Sequence, residues 1–201
     1  MAQQGGIDAR TFDQLTRAQE LAEANQYDEA IAVLDELKGN DRLNSYAKAQ
    51  LWNFYAFIYA NQEQYDEAIK AYRNVLREPD STDGLKQQAK YTMAQLYFQT
   101  ERYDQCIRFM ESWLSDVDQP TPTAHIMLAQ AYYQNDAHDK ALENLDIALR
   151  LDREAGKPVQ ESWLRLKAAI YFGKKDYANT AKVFEQLITI SPQVGYMKQL
   201  A

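Results

Sequence analysis

Cysteine and histidine are nearly missing from this chain: one and two, respectively, among 201 residues. A single thiol, Cys106, closes no intrachain disulfide, and with His125 and His138 thirteen residues apart there is no cluster of zinc-ligand spacing. The chain also lacks a phosphate-cradling glycine loop, a Gly-x-Ser-x-Gly elbow and a His-Glu-x-x-His pair. No acidic pair is spaced for acid and base work. Catalysis has nothing to stand on, and neither a cofactor nor a metal is expected. Basic residues are in deficit as well, 22 against 29 acidic, for a net charge of -7. That balance opposes the phosphate attraction on which nucleic-acid affinity depends. No apolar run reaches the roughly 18 residues that suggest a bilayer span. The start, Met-Ala-Gln-Gln-Gly-Gly, has no basic region followed by an apolar stretch, so neither membrane insertion nor a signal peptide is read here.

What the chain has is a motif that returns. Asn25 to Ile31 reads Asn-Gln-Tyr-Asp-Glu-Ala-Ile, and variants begin at Glu63, Glu101, Asp136 and Lys175. The third residues, Tyr27, Tyr65, Tyr103, His138 and Tyr177, recur at intervals of 38, 38, 35 and 39 residues. This is the period of a helical array whose units pack mainly on their neighbours. The expected organisation is a disordered lead-in over 1–10, repeats over about 11–38, 44–79, 84–117, 121–151 and 159–190, and the truncated start of a sixth over 193–201. Spacings of three and four predict apolar faces such as Phe12, Leu15 and Ala18, or Trp52, Tyr55, Ala56 and Tyr59. Ala56, Ala68, Ala94, Ala129 and Ala141 are read as points of close helix approach, and Cys106 as a small buried residue in the same role. Trp52 and Trp113 are expected to be buried. All five prolines, Pro79, Pro120, Pro122, Pro158 and Pro192, fall between expected repeats and none inside an expected helix.

The pattern met in Trp52, Tyr55, Ala56, Tyr59, Tyr65, Ala68, Tyr72 and Pro79 resembles the tetratricopeptide repeat, across roughly residues 11 to 192. Cys106 and Thr180 depart from it where alanine is usual, His138 stands in for the marker tyrosine, and repeat five carries an extra residue between Leu166 and Ala168. The resemblance implies an all-α fold: a right-handed superhelical solenoid of tandem antiparallel helix pairs. In that family the first helices line a concave groove that binds a peptide or protein segment. Its ligand-facing positions fall on Asn53 and Phe57; Tyr91, Gln95, Phe98 and Gln99; Ile126, Gln130, Tyr133 and Gln134; and Arg165, Ala169 and Phe172. Such a groove is aromatic and amide-rich, able to pair with an extended backbone and receive its side chains. The basic clamp of chaperone-binding members is replaced by Asn53, Tyr91 and Ile126.

The stretch Met110-Glu-Ser-Trp-Leu, the run from Pro120 to Gln134, Glu161-Ser-Trp, and Tyr196-Met-Lys-Gln-Leu-Ala are similar to the periplasmic tetratricopeptide proteins that accompany TonB, ExbB and ExbD in Gram-negative bacteria. That finer resemblance implies a periplasmic home, an accessory role in energised transport, and TonB, ExbB or ExbD segments as partners. The alternative is a cytoplasmic adaptor or co-chaperone of the same fold. At the end of the chain Tyr196, Met197 and Leu200 are expected to promote self-association through the last helix.

Overall fold

A computed structural model describes residues 6–191. The expected sixth repeat, Pro192 and the self-association surface of Tyr196, Met197 and Leu200 lie outside the described residues, as does the first half of the lead-in. The described chain is all helical. It forms α1 (Ala9–Glu23), α2 (Tyr27–Lys38), α3 (Ser45–Asn61), α4 (Tyr65–Arg77), α5 (Asp83–Gln99), α6 (Tyr103–Asp116), α7 (Pro122–Gln134), α8 (His138–Glu154), α9 (Glu161–Gly173) and α10 (Tyr177–Ile190). Two compact units divide it, Met1–Thr100 and Glu101–Ala201. In the first, α1 packs on α2, α2 on α3, α3 on α4 and α4 on α5; in the second, α6 packs on α7, α7 on α8, α8 on α9 and α9 on α10.

The five recurring motifs mark five tight turns. Tyr27, Tyr65, Tyr103, His138 and Tyr177 are each the first residue of a second helix. Two positions earlier, Asn25, Glu63, Glu101, Asp136 and Lys175 all adopt left-handed backbone, with φ between 56° and 60°. This conformation lets the next amide reach back over the end of the first helix: Gln26 to the Leu21 carbonyl at 2.8 Å, Gln64 to Tyr59 at 2.8 Å, Ala137 to Tyr132 at 2.9 Å and Asp176 to Tyr171 at 2.9 Å. Carbonyls left open at a helix end are thereby satisfied, and the chain reverses within three residues. Asp28, Glu29, Asp66 and Glu67 then sit in the first turns of second helices, where free amides favour negative charge. First helices begin differently. Asp8, Asn44, Thr82 and Thr121 accept from the backbone amides of Thr11, Ala47, Leu85 and Ala124.

The small residues lie where the helices approach. Ala56, Ala68, Ala94, Cys106, Ala129 and Ala141 are fully buried, and Thr180 nearly so. Several expectations need correction. Helix α1 starts at Ala9 rather than near Thr11, because the Asp8 carboxylate takes both the amide of Thr11 at 3.0 Å and its hydroxyl at 2.7 Å. Those bonds turn Thr11 inward, so it completes the face of Leu15, Ala18 and Ala22, while Phe12 is left 60% exposed. Pro122 is inside a helix, at its first turn, where its missing N–H is no loss. Trp52 and Trp113 are only half-buried, and the enclosed tryptophan is Trp163 at 7% exposure. Trp52 lies at the edge of its helix pair, with the Lys38 ammonium 5.2 Å from its ring centre. In repeat five, counting back from Lys175 puts Lys167, not Leu166, where repeat two has Tyr55, which accounts for the extra residue.

Candidate functional site

In the first unit the expected ligand-facing side chains sit on α3 and α5. Phe57, Gln95 and Gln99 are exposed, while Asn53, Tyr91 and Phe98 are half-buried. Gln99 is already engaged, its amide donating to the Tyr65 hydroxyl at 2.7 Å and so tying the end of α5 to the start of α4. The side-chain oxygen of Asn53 is enclosed and has no hydrogen-bond partner among the described residues. In the second unit Ile126 is buried, at 7% exposure, and offers a ligand almost no surface. Gln130 and Tyr133 are half-buried, Gln134 and Arg165 exposed, and Phe172 is 63% exposed.

Four expected residues, Tyr133, Arg165, Ala169 and Phe172, meet around an open cavity of about 710 Å³. The lining is completed by Tyr177, Thr180, Ala181 and Phe184 of α10 and by Ala168 and Gly173 of α9. Phe172 and Tyr177 meet edge to face, with ring centres 5.8 Å apart. Arg165 is the one charged residue of the lining; its guanidinium stands 4.0 Å from Glu161. Small residues below and aromatic faces around make room for an apolar side chain, with a cation at the rim for a carboxylate. The α10 residues were legible as a periodic face but not as part of a cavity, because they read as core. Gly173 is a point of close approach: a Cβ there would lie 2.7 Å from Nε2 of His138, whose ring also meets Tyr133 edge to face at 5.8 Å.

Groups capable of chemistry are set to structural tasks. The buried His125 holds Nδ1 3.1 Å from the side-chain oxygen of Asn144, and the Asn144 amide donates to the Lys140 carbonyl at 3.0 Å. Burial pushes the Cys106 thiol up to about 12, far from the thiolate that reactivity requires. Among the described residues no group of three histidine, cysteine or acidic side chains could hold a metal ion.

A feature missed by the periodicity is a polar contact repeated at successive junctions. The residue ten positions beyond each of the first four left-handed ones is Asp35, Arg73, Glu111 or Asp146, and each reaches the next first helix. Tyr55 donates to Asp35 at 2.5 Å, Arg73 donates to the Tyr97 hydroxyl at 2.8 Å, Tyr132 donates to Glu111, and Lys167 donates to Asp146 at 2.6 Å. The partners stand either eight or four residues before the next left-handed residue, one helical turn apart on one face.

Antiparallel helix pairs in tandem, a left-handed residue before each second helix and small residues at every close approach define a tetratricopeptide-repeat protein, and a tetratricopeptide repeat model matches residues 126–194. The chain belongs to the family described as the RNPP family C-terminal domain, whose model matches residues 17–150. No curated protein sequence matches it. Among solved structures it is similar to YrrB, described as a TPR protein with an unusual peptide-binding site, at 16% identity and a TM-score of 0.71, covering 91% of this chain and 87% of that one. MamA 41-end from Desulfovibrio magneticus RS-1 is similar at 16% identity and a TM-score of 0.70, covering 93% of this chain and 98% of its own. MamA AMB-1 follows at 15% identity and 0.71, covering 94% and 95%. At these identities the likeness is one of fold.

Proposed function

We propose that the protein is a non-enzymatic interaction scaffold that binds a peptide or protein segment along its first helices. The observation that carries this reading is the cavity in which Tyr133, Arg165, Ala169 and Phe172 converge, lined by aromatic rings and small residues with one guanidinium among them. In the same unit the exposed Gln134 adds an amide that both donates and accepts, the chemistry an extended backbone needs. The similarity to YrrB, a TPR protein with an unusual peptide-binding site, supports a peptide as the class of ligand.

The finer reading is an accessory role in a TonB-dependent transport system in the periplasm, with TonB, ExbB or ExbD segments as ligands. It rests on the motif resemblance of Met110 to Leu114 and of Pro120 to Gln134. A photoreactive residue at Gln130, expressed in a Gram-negative envelope, is expected to trap one of those three proteins. Crosslinks to cytoplasmic proteins alone would remove the transport reading and favour the adaptor. Crosslinks no more frequent than from the exposed Arg150 on α8 would remove the scaffold reading itself.

A further inference from the structure

Trp52 lies against Tyr55 at the α2–α3 junction, with ring centres 5.5 Å apart and the Lys38 ammonium 5.2 Å from the indole. Counted from the left-handed residues, the matching positions of the α8–α9 junction hold Leu164, Lys167 and Leu149. Both rings are absent there. In their place is a cavity of about 650 Å³ whose lining includes Leu164, Leu149 and Val159, the last 48% exposed. The opening is set by α8 and α9, which supply all of the lining except Val159 of their connecting loop and Gln186 of α10. Helix α8 also runs 17 residues where α2 runs 12, and the added length beyond Leu149 carries Arg150 and Arg153, which line the same cavity one turn apart. Neither guanidinium has a hydrogen-bond or ion-pair partner among the described residues. The two carboxylates of the lining are set elsewhere. Asp146 is held by Lys167 at 2.6 Å, and Glu143 stands seven residues before Arg150, about 10 Å along the helix.

We infer that this cleft binds an acidic segment of a partner protein through one aromatic side chain. The ring takes the room that Trp52 and Tyr55 fill at the α2–α3 junction, against Leu149 and Leu164, and acidic residues beside it in the segment pair with Arg150 and Arg153. A planar guanidinium serves both contacts, since it grips a carboxylate with two parallel bonds and lies favourably on a ring face. Charge selects the partner. The chain as a whole carries -7, so two unpaired arginines beside apolar surface are a local exception that draws in acidic segments and repels basic ones. The chain's own Tyr-Asp-Glu turns do not supply the ring, because Tyr27 is tied to Asn25 at 2.8 Å and Tyr65 to Gln99 at 2.7 Å. The cleft shares no lining residue with the cavity of Tyr133 and Phe172, so this site goes beyond the proposed scaffold function.

The probe is a fluorescein-labelled peptide, Gly-Glu-Asp-Trp-Glu-Glu-Gly, followed by fluorescence anisotropy against the full chain. Saturable binding is expected, weakening as salt is raised. The double variant Arg150→Ser, Arg153→Ser should lose roughly tenfold, and exchanging the peptide's tryptophan for alanine should cost about as much. Leu164→Trp, which restores from within the ring of the α2–α3 junction, should leave the two peptides within about twofold of each other. Because Leu164 is buried, the exposed Val159 gives a second test that leaves the core untouched: Val159→Glu should lose about tenfold by opposing the acidic peptide. Circular dichroism shows whether each variant is folded. Absence of binding, indifference to the double arginine variant, or equal affinity of the wild-type chain for the alanine peptide overturns the site. So does sedimentation that finds dimers abolished by the arginine exchange, which would assign the cleft to a second copy. A photoreactive residue in place of Arg150 removes one guanidinium, so crosslinks counted at that position still measure chance encounter, and the groove and the cleft can fail separately.

Discussion

The Tyr55 hydroxyl donates to the Asp35 carboxylate at 2.5 Å, joining the first helix of one repeat to the second helix of the repeat before it. Tyr55 is 2% exposed, so the bond fixes both how far α3 is rotated and how it is aligned against α2. Tyr55→Phe keeps the ring and removes the donor. The expected cost is about 1 to 2 kcal/mol, toward the lower end for a bond to a charged group because Asp35 itself meets solvent. Urea unfolding of the two proteins checks it.

The same tyrosines give stability a dependence on alkaline pH. Burial first, and then the carboxylate each one faces, holds Tyr55 and Tyr132 well above the ordinary phenol range. A folded value above the unfolded one means that the stabilisation is complete below the unfolded value, about 10, and is lost as pH rises from there toward the folded value. The urea midpoint should therefore fall above about pH 10, and the double variant Tyr55→Phe, Tyr132→Phe should flatten that fall. A slope unchanged in the double variant would exclude these two groups as its source.

Glu63 adopts φ 59° with a Cβ present, a conformation that costs a non-glycine residue roughly 1 to 2 kcal/mol. Glu63→Gly should stabilise the protein by about 0.5 to 1 kcal/mol, the relief being partly offset by the freer unfolded chain. Glu63→Val, whose branched Cβ suits this region least, should destabilise. Thermal melts of the three proteins would order them Gly, Glu, Val.

Gly173 is held by His138 and not by backbone conformation. Gly173→Ala should cost about 1 to 2 kcal/mol by forcing the imidazole off its contact with Tyr133. In a His138→Ala background the sign should reverse, with alanine favoured by about 0.5 to 1 kcal/mol near the helix end. A double-mutant cycle measured by chemical denaturation reads the coupling directly.

Cys106 should resist thiol reagents at neutral pH in the native protein and react on unfolding, since burial raises it to about 12. Cys106→Ala should be nearly neutral, whereas Ala68→Leu at the matching position of repeat two should cost about 1 to 3 kcal/mol by overpacking. Trp163→Ala should cost about 3 to 5 kcal/mol, more than Trp52→Ala, because only the former ring is enclosed. Labelling kinetics and melting curves separate these outcomes.

Periodicity along one chain carries local information, and it was enough to name the helices, the turns and the small residues at each close approach. Ala56, Ala68 and Cys106 are buried because their period matches the helix, a relation that needs no knowledge of neighbours. It could not tell Thr11 from Phe12 as the inward residue of α1, since both lie at helical spacing from Leu15 and a cap bond made the choice. Nor could it see that Asn25, Glu63, Glu101, Asp136 and Lys175 share one left-handed conformation, because three of them are residues that disfavour it. The pairing of Tyr55 with Asp35, and of Lys167 with Asp146, was settled by packing alone. Residues about 20 apart meet only after two helices have been rotated and set against one another. The cavity joining Tyr133 to Phe184 has the same origin, since which surface is left uncovered depends on what each helix finds beside it.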